Sequence, residues 1–589
     1  MGQHIRLRRG SFQPGGSKKE LGRDAGRPGG SGGNQIRAGQ QAGGKDRPTV
    51  HAVHGFFAEE VVSQPAGKSN KCQVVPLIRF FDRKGSYRKH SMKIRFLASP
   101  IVAAFFVLNC WAQNAPASTP SPNSFLERLT TLTDSDSRPW TAEQFATMGR
   151  IRDAAMTDPN AYNMLAHLTD NIGPRLSGSP QAEAAVEWVA AKMREMGTSV
   201  TLEKTTVPHW VRGKEGAVLT VWPGMPPGTT QKIVVTALGN SVPTSADGLT
   251  ANVIVVSSFA ELRSLPVDEI KGKIVLFNRP LDKELTAQGF GLDAYGQNIA
   301  YRGIGPSFGG SLGAAAVLVR SLGSGDFRLP HTGLTLYGEG VDKVPAAAIT
   351  AEDADLLARL SKQGPVTMRL TLTPKTLPPV SSYNIIADWK GSEHPEEVVL
   401  VSGHLDSWDL GTGAIDDGAG VAISMQTIHL LQSLNIHPKR TIRFVAWMNE
   451  EFGVSGATTY LQEHSSELTH HTAALESDLG CDHPIGLTFF GAPEVARYLT
   501  PVANALAPIG ASVLTRSDEV TGEDIAAMVQ LGVPGLTPSQ DSRFYFNYHH
   551  SAADTLDKVN VQQLNENAAV MAVTAFALAD ASEAIPRRK

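Results

Sequence analysis

The chain has 589 residues, 41% of them hydrophobic and 19% charged, which is enough apolar material to bury more than one core. The formal net charge of −3 conceals an asymmetry, because residues 1–91 contain 17 lysines and arginines against 6 acidic residues. From Gln113 onward the balance reverses to 35 basic against 51 acidic residues, so the bulk of the chain has no basic excess and we expect no nucleic-acid partner.

Residues 1–91 are rich in glycine, arginine and serine and show little periodicity. A basic segment of this kind could bind nucleic acid or anionic lipid. We expect instead a disordered segment or a spurious extension that is not translated. The reason is that an export signal follows it, and such signals work at the start of a chain.

The export signal is predicted over residues 92–112. Met92 opens a short positive region, which is followed by the apolar stretch Phe96–Leu108 of 13 residues and a small-residue cleavage site ending at Ala112. The apolar stretch is too short for a stable membrane span. We therefore expect translation from Met92, cleavage near Ala112 and export to the periplasm or the extracellular space, with lipidation at Cys110 as the lesser alternative. Cleavage leaves Cys481 as the last cysteine, which excludes an intrachain disulfide.

The rest of the chain divides into four predicted parts. Residues 113–157 are a linker or peripheral segment. Residues 158–223 begin the main domain, with helical spacing over Gln181–Met196 and strand-like alternation over Ser199–Val207. Residues 380–585 complete it with alternating strands and helices. Between them, residues 224–379 change to short strands separated by Gly/Pro turns, predicted at Lys232–Ala237, Asn252–Val256, Lys273–Phe277 and Ala314–Val319.

Three pieces of the middle part carry a resemblance of their own. Gly272–Asn278, Gly313–Arg320 and Val344–Ile349 resemble a protease-associated domain. The resemblance implies a β-rich domain over residues 224–379, inserted in the fold formed by the flanking parts.

The most informative pattern lies in residues 380–585. Val398–Val401, Thr441–Met448 and Thr472–Leu475 are predicted as buried strands, and Val421–Leu434 has helical spacing. Histidine or acidic side chains follow each strand, and in an open α/β sheet the C-terminal strand ends form the functional crevice. The candidate residues are His404, Asp406, Asp416, Asp417, Glu450, Glu451 and Asp478, followed later by His549 and His550.

These residue types favour a metal site. Zinc takes neutral imidazole and carboxylate ligands together. The adjacent Glu450 and Glu451 point in different directions, so one can bind metal while the other accepts a proton from a water molecule. For each piece alone, the alternative is a solvated loop or strand end whose aspartates cap helices. The combination favours the metal site.

The same residues resemble the co-catalytic di-zinc aminopeptidase and glutamate carboxypeptidase superfamily, most closely its carboxypeptidase Q branch. The resemblance implies a zinc-dependent exopeptidase that hydrolyses dipeptides or short peptides, and a homodimer. It also implies an α/β fold with a mixed, mostly parallel sheet flanked by helices. The matching motifs are Leu168–Gly178, His404–Asp406, Gly413–Gly418, Asn449–Glu451, Glu476–Asp478 and His550–Thr555.

Carried over position by position, the resemblance implies two zinc ions. Glu450 would be the general base, and Asp406 would orient His404 through the other ring nitrogen. His550 lies four residues before Asp554, which is the family's spacing for the last ligand, and His549 would then line the pocket. The implied ligands are His404 and Asp478 for one ion, Glu451 and His550 for the other, and Asp416 as the bridge. Asp417 follows the bridge, where the family has a cis peptide bond.

Two alternatives stay open from sequence. A glutaminyl cyclase has a similar fold but uses one zinc ion. A receptor-like binding protein of the same fold is expected to lack several ligands. The complete set of five candidate ligands favours the two-metal hydrolase over both.

Overall fold

The computed structural model describes residues 140–588, apart from residues 326 and 521. The predicted extension, the signal peptide and most of the predicted linker lie outside these residues. The strands are β1 (Ser199–Val211), β2 (Glu215–Val221), β3 (Gln231–Ile233), β4 (Val235–Ala237), β5 (Leu249–Val256), β6 (Ile274–Phe277), β7 (Ala316–Arg320), β8 (Ala346–Ile349), β9 (Thr367–Leu372), β10 (Lys375–Trp389), β11 (His394–His404), β12 (Arg440–Trp447), β13 (His471–Glu476), β14 (Pro484–Phe490), β15 (Val513–Arg516) and β16 (Gly535–Gln540). The α-helices are α1 (Ala142–Ala155), α2 (Asn160–Ala166), α3 (Pro180–Glu195), α4 (Phe259–Ser264), α5 (Val267–Ile270), α6 (Lys283–Ala287), α7 (Gly291–Gly303), α8 (Gly305–Ser311), α9 (Ala351–Ser361), α10 (Ala419–Ser433), α11 (Ser455–Glu463), α12 (Val495–Leu506), α13 (Ala526–Gln530), α14 (Tyr545–Tyr548) and α15 (Val561–Asp580).

The first sheet carries the candidate site and has the strand order β1-β10-β12-β11-β13-β16-β14-β15. Its central strands β12, β11, β13 and β16 run parallel, and so do β14 and β15. Antiparallel pairs join β1 to β10, β10 to β12 and β14 to β16. The predicted α/β class with a mixed, mostly parallel sheet is therefore confirmed.

Helices cover both faces of this sheet, and this explains the unbroken apolar run Val398–Val401. Val399 and Val401 pack into a core shared with α1, α3, α10 and α15. Val398 and Leu400 pack on the opposite face, together with residues of α11 and α13. Successive strand side chains point to opposite faces, so a strand that is buried on both sides has no polar alternation.

The end of the predicted linker is a peripheral helix. Helix α1 starts with a capping box, in which Thr141 and Gln144 each bond the backbone N–H of the other. Its buried face, which includes Met148 and Ile151, enters the larger core. The Gln144 side chain also donates to the Asp580 carbonyl oxygen at 2.7 Å, which holds α1 beside the end of α15.

A second eight-stranded sheet is interposed between β1 and β10, with the order β3-β2-β9-β5-β6-β7-β8-β4. Strands β5 to β8 run parallel, and the remaining pairs are antiparallel. The strands β3 and β4 occupy the two ends of this order although only Val234 separates them. The sheet must therefore curl until its two ends meet. The assignment of residues 224–379 as a protease-associated domain stays a prediction.

The prediction of a single strand over Lys232–Ala237 is wrong. The segment forms two strands, because β3 pairs with β2 whereas β4 pairs with β8. At the break, the Val234 N–H donates to the buried Asp353 carboxylate at 2.8 Å instead of to a neighbouring strand. An apolar alternating pattern does not reveal such a change of partner.

A half-buried arginine joins the two sheets. Arg212, just after β1, pairs with Asp409 at 2.7 Å and with Glu215 at 2.9 Å, and it donates to the Ala237 carbonyl oxygen at 2.7 Å. Trp408, beside Asp409, is buried in the core of the second sheet. The loop that follows β11 is thus held against the second sheet. Within residues 140–588, no helix has both the length and the apolar character needed to cross a membrane.

Candidate metal centre

The C-terminal ends of three parallel strands lie side by side at one edge of the first sheet. His404, the last residue of β11, is in register with Trp447, the last residue of β12. Ser402 is in register with Glu476, the last residue of β13. The side chains that follow β12 and β13 are therefore brought to the same edge as His404, as the strand pattern predicts.

Asp416 lies at the centre of a cluster of histidines and carboxylates. Its Oδ1 is 3.1 Å from Nε2 of His404, and its Oδ2 is 3.2 Å from Nε2 of His550. Nε2 of His404 is also 3.2 Å from Oδ1 of Asp478, and Nε2 of His550 is 3.0 Å from Oε2 of Glu451. The Asp416 carboxylate thus lies between two similar groups, each with one imidazole nitrogen and one further carboxylate.

The loop that carries Asp416 is held by the carboxylate of Asp554. Oδ1 of Asp554 accepts the N–H groups of Ala414 at 2.8 Å and Ile415 at 2.7 Å, and Oδ2 accepts that of Asp416 at 3.3 Å. A buried carboxylate that accepts several backbone N–H groups fixes the conformation of the loop. Asp554 lies in the motif His550–Thr555, which predicted no role for this carboxylate.

Asp417 fixes the backbone at His404 and at Gly420, on either side of Asp416. The peptide bond between Asp416 and Asp417 is cis, as the resemblance implied. Oδ2 of Asp417 accepts the His404 N–H at 3.0 Å, and Oδ1 accepts the Gly420 N–H at 2.9 Å. A Cβ on Gly420 would lie 1.9 Å from the carbonyl oxygen of Ser477, so only glycine lets the start of α10 approach the end of β13 this closely.

Arg175 is a fully buried cation under the site. Its guanidinium donates to four carbonyl oxygens, those of Gly173, Leu405, Thr412 and Gly413, at 2.7 to 3.3 Å. Burial lowers the pKa of Arg175, while the nearby Asp554, Asp406, Asp417 and Asp416 act in the opposite direction. This single side chain therefore connects the segment at Gly173 with those at Leu405 and at Thr412–Gly413. Arg175 lies in the motif Leu168–Gly178, which predicted no role for this side chain.

Asp406 contacts His404 through its main chain, whereas the resemblance implied a contact through its carboxylate. Nδ1 of His404 donates to the main-chain carbonyl oxygen of Asp406 at 2.9 Å, and the Asp406 carboxylate is 3.9 Å away. That carboxylate instead accepts the N–H groups of Asn449 at 2.7 Å and Glu450 at 3.0 Å, and the hydroxyl of Ser177 at 2.9 Å. Asp406 therefore positions the strand end that carries Glu450, while its main chain orients the imidazole.

The adjacent glutamates have different surroundings. Glu451 is buried beside His550, and burial raises its pKa to about 7. Glu450 is partly exposed, and burial raises its pKa well above the ordinary value although His404 acts in the opposite direction. In the part of the chain that the structure describes, no hydrogen bond to the Glu450 carboxylate is found. Glu451 thus belongs to the cluster, and Glu450 lies partly exposed beside it.

His549 also enters the cluster. Its ring stacks on that of His550 with centroids 3.6 Å apart, and its Nε2 lies 3.6 Å from Oδ2 of Asp416. Burial lowers the pKa of His549 well below the ordinary value. The neutral ring packs edge-on against Tyr295. Both histidines of the pair are therefore close to Asp416, and His550 is the one that also reaches Glu451.

The donor set fits a divalent metal. Oδ2 of Asp416, Oε1 of Glu451 and Oδ1 of Asp478 are buried and accept no hydrogen bond from the described residues. Unpartnered buried carboxylate oxygens are costly unless a cation satisfies them. Imidazole nitrogens combined with carboxylates are the ligands that zinc takes.

Two further buried acids adjoin the cluster and were not singled out. Glu476 accepts the Ile525 N–H at 3.1 Å, and burial raises its pKa to about 8. Both carboxylate oxygens of the buried Asp524 lack a hydrogen-bond partner among the described residues. The motif around Asp478 contains Glu476, but no local sequence signal distinguishes Asp524. Burial also raises the pKa of Asp524 well above its ordinary value, so burial favours the neutral form of both acids.

Paired imidazole and carboxylate groups around one carboxylate, at the C-terminal edge of an α/β sheet, define a metal-dependent hydrolase. The comparisons with known proteins agree. A profile described as Peptidase family M28 matches residues 384–575. Human Carboxypeptidase Q is 39% identical over 429 residues, which covers 72% of this chain and 87% of that protein. The chain belongs to Peptidase family M28, and it is a metallo-exopeptidase.

Solved structures show the same relationship. A Peptidase M28 precursor from Shewanella amazonensis has a TM-score of 0.71 and 35% identity, covering 76% of this chain and 99% of that one. BSAP, a zinc aminopeptidase from Bacillus subtilis, has a TM-score of 0.52 and 19% identity, covering 73% and 97%. At that identity the second likeness shows the fold alone.

Replacing Arg175 tests the buried clamp under the site. Arg175→Met leaves four carbonyl oxygens without this donor, so the free energy of unfolding in urea should fall by about 3 kcal/mol or more. Arg175→Lys should restore little, because one ammonium group cannot reach all four oxygens. Arg543→Met, at an exposed arginine that pairs with Asp541, should leave the urea midpoint unchanged. An unchanged midpoint for Arg175→Met would show that the clamp is not needed.

Proposed function

We propose that this protein is an exported, two-zinc exopeptidase that hydrolyses dipeptides or short peptides with free ends. The single observation that carries the proposal is the position of Asp416, whose two oxygens face two different histidines. One carboxylate oriented in this way is suited to bridging two ions. The similarity to Carboxypeptidase Q supports the choice of short peptides as the substrate class.

The proposed ligands follow the two halves of the cluster. His404 and Asp478 would hold one ion, Glu451 and His550 would hold the other, and both ions would share Asp416. Each half combines a neutral imidazole with carboxylate oxygens, as zinc prefers.

The chemistry divides between the metal and Glu450. Zinc, when bound, polarises the peptide carbonyl and makes water a stronger acid. Glu450 accepts the proton of the attacking water, and it then passes that proton to the leaving amine. Its carboxylate is suited to this because it is partly exposed and no described residue competes for it. Asp406 keeps Glu450 in place through the backbone N–H at 3.0 Å.

Export is the second part of the proposal. It is supported by the positive start at Met92, the apolar residues Phe96–Leu108 and the cleavage site ending at Ala112. A protein that loses two of its three cysteines with the signal has no intrachain disulfide, so its stability in an oxidising compartment depends on its cores and its metal.

A dipeptide assay tests the function. The purified protein is treated with a chelator and then resupplied with zinc. We expect the chelated protein to be inactive, and zinc to restore hydrolysis of unblocked dipeptides but not of dipeptides acetylated at the amino end and amidated at the carboxyl end. Release of cyclised products from peptides with N-terminal glutamine, without hydrolysis, would favour a cyclase. Peptide binding without turnover would favour a receptor-like protein.

Two matched substitutions separate the base from the ligand. Glu450→Gln keeps the size of the side chain but cannot accept the proton, so turnover should fall at least about 100-fold while the zinc content stays unchanged. Glu451→Gln should instead lower the zinc content, because a ligand is lost. Turnover is measured with a dipeptide, and zinc is measured by elemental analysis of the same samples. Metal loss in the Glu450 variant with full metal in the Glu451 variant would reverse the assignment.

A further inference from the structure

The candidate ligand His550 is held by the second sheet, although its own chain segment belongs to the first. The Thr332 N–H donates to the His550 carbonyl oxygen at 2.8 Å. Nδ1 of His550 lies 3.3 Å from the Thr332 carbonyl oxygen. Thr332 is fully buried, and its hydroxyl donates to the Ala237 carbonyl oxygen at 2.9 Å. The main chain of one residue thus contacts both the backbone and the ring of His550.

These contacts hold a conformation that histidine rarely adopts. His550 has a φ of +59°, in the left-handed region. Residues other than glycine occupy this region only when their surroundings fix them there. The two main-chain contacts from Thr332 are such surroundings.

The contact to the ring also bears on which nitrogen can bind metal. A carbonyl oxygen only accepts, so Nδ1 must carry the proton if it bonds to Thr332. Nε2 then has a free lone pair, and it faces Glu451 and Asp416 at 3.0 and 3.2 Å. This is the state of the ring that a metal ligand requires.

Arg302 of α7 completes this arrangement. Its Nη1 lies 3.4 Å from the Thr332 carbonyl oxygen and 3.2 Å from Nδ1 of His550. Arginine only donates, so Nη1 bonds to Nδ1 when that nitrogen is unprotonated, and to the Thr332 oxygen alone when Nδ1 carries the proton. The Thr332 oxygen has two lone pairs and can accept from both donors at once. The guanidinium lies 5.4 Å from the Tyr295 ring centroid, and a Cβ on Gly333 would meet it at 2.4 Å. Arg302 is thus packed in a fixed place beside the Thr332 carbonyl group.

The buried charge of Arg302 has no acidic partner at ion-pair distance among the described residues, and its Nε has no hydrogen-bond partner there. An arginine buried without a carboxylate partner is costly. A role of Arg302 in positioning residues of the cluster would account for this cost. The opposite half of the cluster has a different support, because Nδ1 of His404 donates to the Asp406 main chain within the first sheet.

We propose that Arg302, acting through the Thr332 carbonyl group, is a positioning residue for His550. The inserted sheet would then control one metal position and leave the His404 and Asp478 position unaffected. This inference rests on the proposed two-metal function. It makes the second sheet part of the metal site through a contact that spans more than two hundred residues of sequence.

Metal titration of the full-length protein tests the proposal without an activity assay. Metal-depleted protein is titrated with Co²⁺, and binding is followed by visible absorption and by competition with a chelator. In Arg302→Met we expect the site of His404 and Asp478 to fill as in wild type. The site that contains His550 should bind Co²⁺ about 10- to 100-fold more weakly. Arg302→Lys should recover part of that affinity, because its ammonium group can still donate to Thr332. The matched control is Arg320→Met, a buried arginine of β7 that pairs with Asp355 instead.

The outcomes separate the two proposals. One metal per wild-type chain at saturation would refute the two-metal function, whatever the variants do. Two metals in wild type, with both affinities unchanged in Arg302→Met relative to Arg320→Met, would refute the role of Arg302. Tighter binding in Arg302→Met would also refute it, because Arg302 would then donate to Nδ1 and oppose metal binding. If Arg302→Met does not fold, Arg302→Gln decides by the same comparison.

Discussion

The structure depends on the burial of several carboxylates in one place. Asp416, Glu451 and Asp478 converge with oxygens that no described hydrogen bond satisfies, and the buried Asp406, Asp417 and Asp554 lie directly around them. Such a concentration of negative charge is stable only if cations and N–H groups compensate it. Two histidines, the buried Arg175 and the backbone N–H groups that Asp406, Asp417 and Asp554 accept supply part of this compensation. A bound divalent metal would supply the remainder and would thereby link metal binding to the folding of this edge of the sheet.

The sheet makes this concentration possible. Parallel strands place their C-terminal ends at one edge, and the residues that follow β11, β12 and β13 meet there without long loops. The second sheet then closes the site from the other side. Arg212 holds it against the loop after β11, and Thr332 holds His550. The cluster is therefore assembled from residues that lie far apart in sequence, and His404, Asp416 and His550 each have a local support of their own.

Sequence reasoning predicted the parts of the molecule that depend on local pattern. The buried strands, helix α10 and the polar residues at the strand ends follow from local patterns. The assignment of the ligands, including the choice of His550, came from the family resemblance. The strand predicted over Lys232–Ala237 was wrong, because a change of pairing partner leaves no trace in local alternation. The contact between His404 and the Asp406 main chain was not predictable either, since side-chain patterns say nothing about which carbonyl group a ring reaches. Arg302 and Thr332 carry no motif, and only the curled second sheet brings them to His550.

The account is tested most directly by locating the metal. A crystal structure of the zinc-loaded protein, with anomalous data collected at the zinc edge, measures the number and position of the ions. We expect two peaks on either side of the Asp416 carboxylate, one beside His404 and Asp478 and the other beside Glu451 and His550. A single peak at full occupancy, or a second ion bound by His549 in place of His550, would contradict the account.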